Sequence, residues 1–563
     1  MRAIAGLLLA SLVAAYGCRG SQSVTSEEEA GPVWFEDVTD QVRLNFVHDA
    51  GPLPGTDYFL PQIMGSGAAL FDFDNDGRLD IYLLHNGGPK GAKNRLFHQR
   101  ADGTFEDVSA GSGLDVAGYG MGIAVGDVNN DGLPDVLLTE YGGIRLFLNL
   151  GGGKFKDVTR EAGLDNPFWA ASACFFDYDR DGWLDLVVVN YLAYDPTREC
   201  TLAGGKKDYC GPNVFAGTVT KLFHNTGVRG QGTGVRVPPF EDVTLASGLA
   251  SKPGPGLGVV CADFDGDGWP DIFVANDGKP NHLWINQKNG TFVEEAALHG
   301  LAYNIAGQAQ AGMGVALGDT TGDGRFDLFV THLTSETHTL WRQTSKGRFT
   351  DRTVAAGLTG GGWRGTGFGT VLADFDHDGA LDLALVNGRV SKPEPVGKGP
   401  FHAWYAERSQ LFANDGSGRF SDISPQNTPF CGYRSIRRGL AVGDLNGDGA
   451  LDLLTTSIAG QTRLLRNVAP KRGHWLMVRA VDPALGGRDA YGAVVTVAAS
   501  GRRWQRLIQP GYSYLCSNDP RAHFGLGPTQ RVEAIQVTWP DGKEETFPGQ
   551  EVDRIIVLQK GVR

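Results

Sequence analysis

The stretch "FDFDNDGRLDIYLLHN" at residues 71–86 places Asp72, Asp74, Asp76 and Asp80 within nine positions, with Gly77 in the bend. Two carboxylates about 4 Å apart repel by roughly 4 kcal/mol at an effective dielectric of 20, so such crowding calls for a cation. The pattern returns six times: "DVNNDGLPD" at 127, "DYDRDGWLD" at 177, "DFDGDGWPD" at 263, "DTTGDGRFD" at 319, "DFDHDGALD" at 374 and "DLNGDGALD" at 444. Successive spacings are 55, 50, 86, 56, 55 and 70 residues, a period that marks a repeat architecture.

Each unit holds more than the acidic turn. An apolar segment such as "GAALF" precedes it and a β-branched run such as "DLVVVN" follows. A third segment ("RLFHQ", "RLFLN", "KLFHN", "HLWIN", "TLWRQ", "QLFAN", "RLLRN") and a fourth ("GTFEDVS", "GKFKDVT", "GRFTDRT") complete it. Four short strands per unit predict one propeller blade, and seven units an all-β, seven-bladed β-propeller over 33–467. The seventh unit lacks its fourth segment, while "FEDVT" stands alone at 35–39. Phe35 to Thr39 is therefore expected to complete the last blade and close the ring, which removes two exposed edges.

Oxygen donors at positions 1, 3, 5 and 9 of each turn suit calcium, which takes six to eight oxygens in irregular geometry. Position 1 is Asp72, Asp127, Asp177, Asp263, Asp319, Asp374 and Asp444; position 3 is Asp74, Asn129, Asp179, Asp265, Thr321, Asp376 and Asn446. Position 5 is Asp76, Asp131, Asp181, Asp267, Asp323, Asp378 and Asp448; position 9 is Asp80, Asp135, Asp185, Asp271, Asp327, Asp382 and Asp452. Thr321 makes the turn at 319 the weakest. Position 12 is Leu83, Leu138, Val188, Val274, Val330, Leu385 and Thr455, so no bidentate Glu of the EF-hand kind exists and position 9 must serve instead. Seven calcium ions would turn the formal charge of −13 into +1, which reads the acidity as an account of bound ions.

The acidity and the lack of a Lys/Arg stripe exclude nucleic acid as a partner. Residues 1–17, "MRAIAGLLLASLVAAYG", have the layout of an export signal, too short for a comfortable membrane span. "AAYGC" resembles a lipobox, which would make Cys18 the lipidated first residue of the mature protein; a simple cleaved signal and an uncleaved anchor stay open. Residues 18–32 read as a flexible tether. Export to the cell envelope or beyond fits a Cys200–Cys210 disulfide across "CTLAGGKKDYC". The lipid would then be the only membrane attachment, and the protein is expected to be a monomer.

On the face opposite the acidic turns, the ends of the second strands place His85, Glu140, Tyr141, Tyr191, Asn276, Asp277, His332 and Arg389. These are candidates to line a central ligand pocket, although strand-end capping explains the Asn and Asp residues equally well. No nucleophile elbow, zinc-protease motif, P-loop or dinucleotide fingerprint occurs. The reading is therefore a non-enzymatic, calcium-stabilised module that binds an extracellular protein or glycan. The alternative is a carbohydrate-active lyase or hydrolase using Glu140, His332 and Asp277.

After residue 467 the repeat stops. "HWLMVRAV", "GAVVTVAASGRRWQRLI", "YSYLC", "VEAIQVTWPDGKEETF" and "RIIVLQKG" predict the strands of a separate, β-sandwich-like domain over 468–563. The acidic turns resemble the calcium hairpins of FG-GAP/VCBS-repeat propellers, a type shared by the α-subunit head of integrins. "HWLMVRAV", "RDAYGAVVTV", "DPRAHFGLG" and "VTWPDGKEE" resemble the ASPIC/UnbV domain. With "YCGP" at 209–212 and "NDGKPNHLW" at 276–284, the chain looks like a bacterial relative of the cartilage acidic protein family. That resemblance implies extracellular calcium binding and interaction roles.

Overall fold

A computed structural model describes residues 32–52, 58–202, 204–227, 236–393, 396, 398–470 and 472–562. The signal, Cys18 and most of the tether lie outside the described residues. Each acidic turn joins two antiparallel strands so that the residue before position 1 pairs with position 9, as Phe71 does with Asp80 and Gly443 with Asp452. Third and fourth strands follow in order, giving sheets such as 68–71, 80–83, 95–99 and 105–107.

Seven four-stranded sheets of this kind stand among the described residues. Their first strands touch in chain order, and the strand at 68–71 also touches the one at 437–443, so the ring closes. Phe35–Asp37 supplies the fourth strand of the last sheet, pairing Phe35 with Asn467 and Asp37 with Leu465. The chain's N-terminal segment therefore fastens its last blade, as the orphan "FEDVT" leads one to expect.

The blades are also joined by an amide side chain at or near the end of each third strand. Asn149 Nδ2 donates to Phe73 O of the preceding blade at 2.7 Å, and Asn225, Asn286, Gln343, Asn414 and Asn467 repeat this bond to Val128, Tyr178, Phe264, Thr320 and Phe375. Gln99 donates to Leu445 O, which carries the set from the first blade across the closure to the seventh. An amide buried at a seam has to find an acceptor, and here it finds one that only a neighbouring blade offers.

The C-terminal segment forms two four-stranded sheets, one from 474–482, 488–489, 522–527 and 554–559, the other from 494–499, 502–507, 534–538 and 544–548. It is not a free-standing body: one hydrophobic cluster runs from Ala124, Phe175 and Leu186 of the propeller to Leu476, Trp504 and Trp539, and Pro32–Arg563 is one compact unit. "YSYLC" is not a strand of its sheets. Residues 513–519 instead thread the centre of the ring, where inner strand edges would otherwise carry unpaired backbone groups. Ser513 exchanges backbone bonds with Val315 at 2.7 and 2.9 Å, Ser517 N donates to Ala68 O, and Ile123 N donates to Leu515 O. Gly67 makes room, since a Cβ there would lie 1.7 Å from Leu515 O.

Candidate metal centres and the opposite face

The acidic hairpins organise themselves. In all seven, the position-1 carboxylate accepts the amide of the position-6 glycine, at 2.8 to 3.0 Å. The position-5 carboxylate accepts the amide of position 7, as Asp76 does from Arg78 at 2.9 Å and Asp448 from Ala450 at 2.8 Å. The position-6 glycines have φ between 79° and 94°, where a Cβ is strained. Position 4 is left-handed as well: Asn75, Asn130, Arg180, Gly266, Gly322, His377 and Gly447. These bonds hold the carboxylates toward one centre without help from the rest of the chain.

Position 9 does something the spacing does not reveal. Each of the seven aspartates is buried and bridges two strands. Asp382 accepts Phe375 N and Asn414 N at 3.0 and 2.9 Å; Asp80 accepts Phe73 N and Gln99 N at 3.2 and 2.8 Å. The residue is thus a staple from the third strand to the hairpin as well as a candidate ligand. Burial pushes Asp80 and Asp452 up to about 8 and drives Asp135, Asp271 and Asp382 well above the ordinary carboxylate range. Burial also lifts Asp127, Asp177, Asp263 and Asp444 to about 6. Groups so desolvated favour a neutralising partner.

A divalent cation fits the donor set. Carboxylate oxygens of Asp72, Asp74 and Asp80 lie within 4.8 Å of one another, as do those of Asp177, Asp179 and Asp181, and of Asp263, Asp265 and Asp271. Asp374 Oδ1, on a position-1 carboxylate, is buried with no hydrogen-bond partner. Two histidines join hairpins in a way the sequence reading missed: His98 Nδ1 lies 3.1 Å from Asp80, and His224 Nδ1 3.0 Å from Asp185. The hydrogen bond to Asp185 raises His224 to about 9. The only signal in the sequence was the fourth letter of "RLFHQ" and "KLFHN".

The opposite face departs from expectation. The centre that was to be a pocket is filled by Ile63, Met64, Tyr191, Tyr405, Tyr514 and Leu515. His85 is buried, stacks on Phe46 at 4.4 Å and accepts Asp49 N; burial lowers it to about 4. Glu140 is held by Arg145, and Arg389 pairs with Glu407 at 3.1 Å. Asn276 donates to Pro280 O. His332 is fully buried and lowered to about 3 by burial.

Of the eight residues, Tyr191 and Asp277 meet directly, the hydroxyl donating to the carboxylate at 2.5 Å. Tyr141 reaches Tyr191 through Trp169, with ring centroids 5.4 and 5.0 Å apart. Of the rest, His85, Glu140, Asn276 and Arg389 are engaged elsewhere and His332 is buried with both ring nitrogens unpartnered; the helix Leu60–Met64 and the channel segment pack into the centre. Cys200 and Cys210 are disulfide-bonded, with Cα atoms 5.2 Å apart.

A ring of four-stranded sheets, each with an acidic first hairpin, defines a repeat propeller. The chain belongs to the FG-GAP-like repeat family, whose model matches residues 72–138, 127–188, 263–330, 322–385 and 401–455, and it ends in an ASPIC and UnbV domain matched over 485–563. It is similar to cartilage acidic protein 1 of Mus musculus, 30% identical over 57% of this chain and 47% of the relative, and to that of Homo sapiens, 29% identical over 54% and 43%. The chain spans about half the length of these curated relatives. Among solved structures, an Agrocybe aegerita lectin described as recognising non-reducing terminal N-acetylglucosamine aligns over 73% of this chain and 93% of its own, at 15% identity and a TM-score of 0.37. A score of that size carries no inference about function.

Proposed function

We propose that this chain is an exported, calcium-binding propeller that serves as an extracellular interaction module, with the ions holding its frame rigid. The observation that carries the reading is the sevenfold hairpin, in which backbone amides anchor the first carboxylate and leave its remaining lone pairs for a hard cation. An all-oxygen donor set of irregular shape suits calcium better than magnesium. At about ten times its dissociation constant, each ion would add about 1.4 kcal/mol to the folded state. The Cys200–Cys210 bond supports an oxidising compartment.

A binding role is favoured over saccharide cleavage because Glu140 is tied to Arg145, Asp277 to the Tyr191 hydroxyl, and His332 is fully buried. Calorimetry of chelator-treated protein tests the ion reading: several equivalents of calcium per chain are expected, with much weaker uptake of magnesium. Absence of uptake, together with a melting temperature indifferent to chelator, would sink it. Glycan- and protein-array binding without product formation would support the interaction role.

A further inference from the structure

A cavity of about 230 Å³ lies between the hairpins at 72 and 127 and the C-terminal domain. Its wall is largely apolar, from Leu70, Leu79, Val125 and Tyr491. At its rim stand Ile555 and Val557, 41% and 54% exposed, an unusual exposure for large aliphatic side chains on a strand. Three arginines of the C-terminal domain also line it. Arg479 is paired with Asp489 at 2.7 Å, and Arg521 grips Asp519 through Nε and Nη2 at 2.9 and 2.7 Å.

The third, Arg488, is 5% exposed, and its Nε and Nη1 have no acceptor. The carboxylates acting on its charge are Asp177, Asp127 and Asp482. None accepts from Arg488 Nε or Nη1: Asp127 accepts Asp131 N and Gly132 N, Asp177 accepts Asp181 N and Gly182 N, and Asp482 accepts Ala484 N and Lys560 Nζ. A buried guanidinium without a partner is strongly unfavourable, and such groups in native proteins have an acceptor from water or a ligand.

We propose that this cavity binds an aliphatic carboxylate, its carboxylate on Arg488 and its hydrocarbon chain against the apolar wall and mouth. One guanidinium matches one negative charge, so a carboxylate fits better than a phosphate monoester, whose second charge would be buried without a partner. The site borders the hairpins at 72 and 127, whose Asp72 and Asp127 line it, and is not part of the interaction role proposed above.

The test uses the full chain in calcium buffer, titrated with octanoate and, as a neutral counterpart, octan-1-ol. Octanoate is expected to bind saturably with one site per chain, about tenfold or more tighter than the alcohol, since a charge-assisted bond is at stake. Arg488→Met should bring octanoate down to the level of the alcohol. Val557→Trp, at the exposed mouth, should weaken both probes and leaves the buried charge alone should Arg488→Met fail to fold. Equal binding of acid and alcohol, unchanged octanoate affinity in Arg488→Met, or no saturable binding, meaning water alone at Arg488, would overturn the proposal. Melting of the same samples with chelator reports the hairpin ions independently.

Discussion

The hairpins at Asp72 and Asp374 carry aspartate at the same four positions, yet they live in different surroundings. At 374 the C-terminal domain covers the turn: Gly473 N donates to Asp376 O, Gly527 N to His377 O, and Trp504 Nε1 to Gly379 O at 3.1 Å. Asp374 is 1% exposed and pushed by burial to about 8. At 72 the turn is open, with Asn75 and Asp76 exposed; the chain supplies its own countercharge through Arg78 on Asp76, and the His98 ring lies beside Asp74 and Asp80. The difference teaches that the nine-letter motif sets donor geometry while the cover sets the environment. A desolvated site gains more from a cation and releases it more slowly.

Chelation is expected to have the largest effect and to separate the two. In hydrogen exchange under chelator, the amides of Asp76, Gly77 and Arg78 should lose protection before those of Asp378, Gly379 and Ala380; simultaneous loss would break the comparison. The position-9 staple, by contrast, should be indifferent to cover. Asp382→Ala and Asp80→Ala each strand two buried amides and should each cost about 3 kcal/mol in denaturant unfolding. A large gap between them would mean that the staple leans on the C-terminal domain.

A pH series in chelator sharpens the electrostatic side. Asp80 and Asp374 have folded-state values near 8, above the ordinary 3.8. Their stabilising contribution is therefore complete below about 4 and is lost as pH rises through about 8. Ion-free protein should thus melt higher at pH 5.5 than at pH 8, while the calcium-loaded form, where protons compete with the ion, should show the reverse ordering. Smaller still, Trp504→Phe removes one hydrogen bond to the covered hairpin and should cost about 1 kcal/mol. Arg78→Ala at the open hairpin removes a surface pair and should change stability by less than about 0.5 kcal/mol.

Much of the frame was legible because it is local. The hairpins and the four segments per unit follow from letters close together in the chain, and the orphan strand at 35–37, which pairs with 465–467, was legible because the repeat showed which segment the last unit lacks. The position-9 staple was half legible: its carboxylate was noticed for its charge, but its partners are amides at the far end of a third strand. The closing residues of "RLFLN" and its relatives were in view too, yet their acceptors belong to another blade. Tyr141, Tyr191 and Asp277 of the opposite face do gather, but the space read as a pocket beside them is filled by a segment, 513–519, that comes from the other end of the sequence.

What the amino-acid order determined by itself is the repeated turn, since its hydrogen bonds join residues no more than seven positions apart and form wherever the chain goes. What the tertiary structure alone decided is which turns are covered, what fills the channel and where Arg488 is left without a partner. Those outcomes depend on groups hundreds of residues apart meeting at one place, and side-chain spacing carries no record of a meeting that only the closed ring creates.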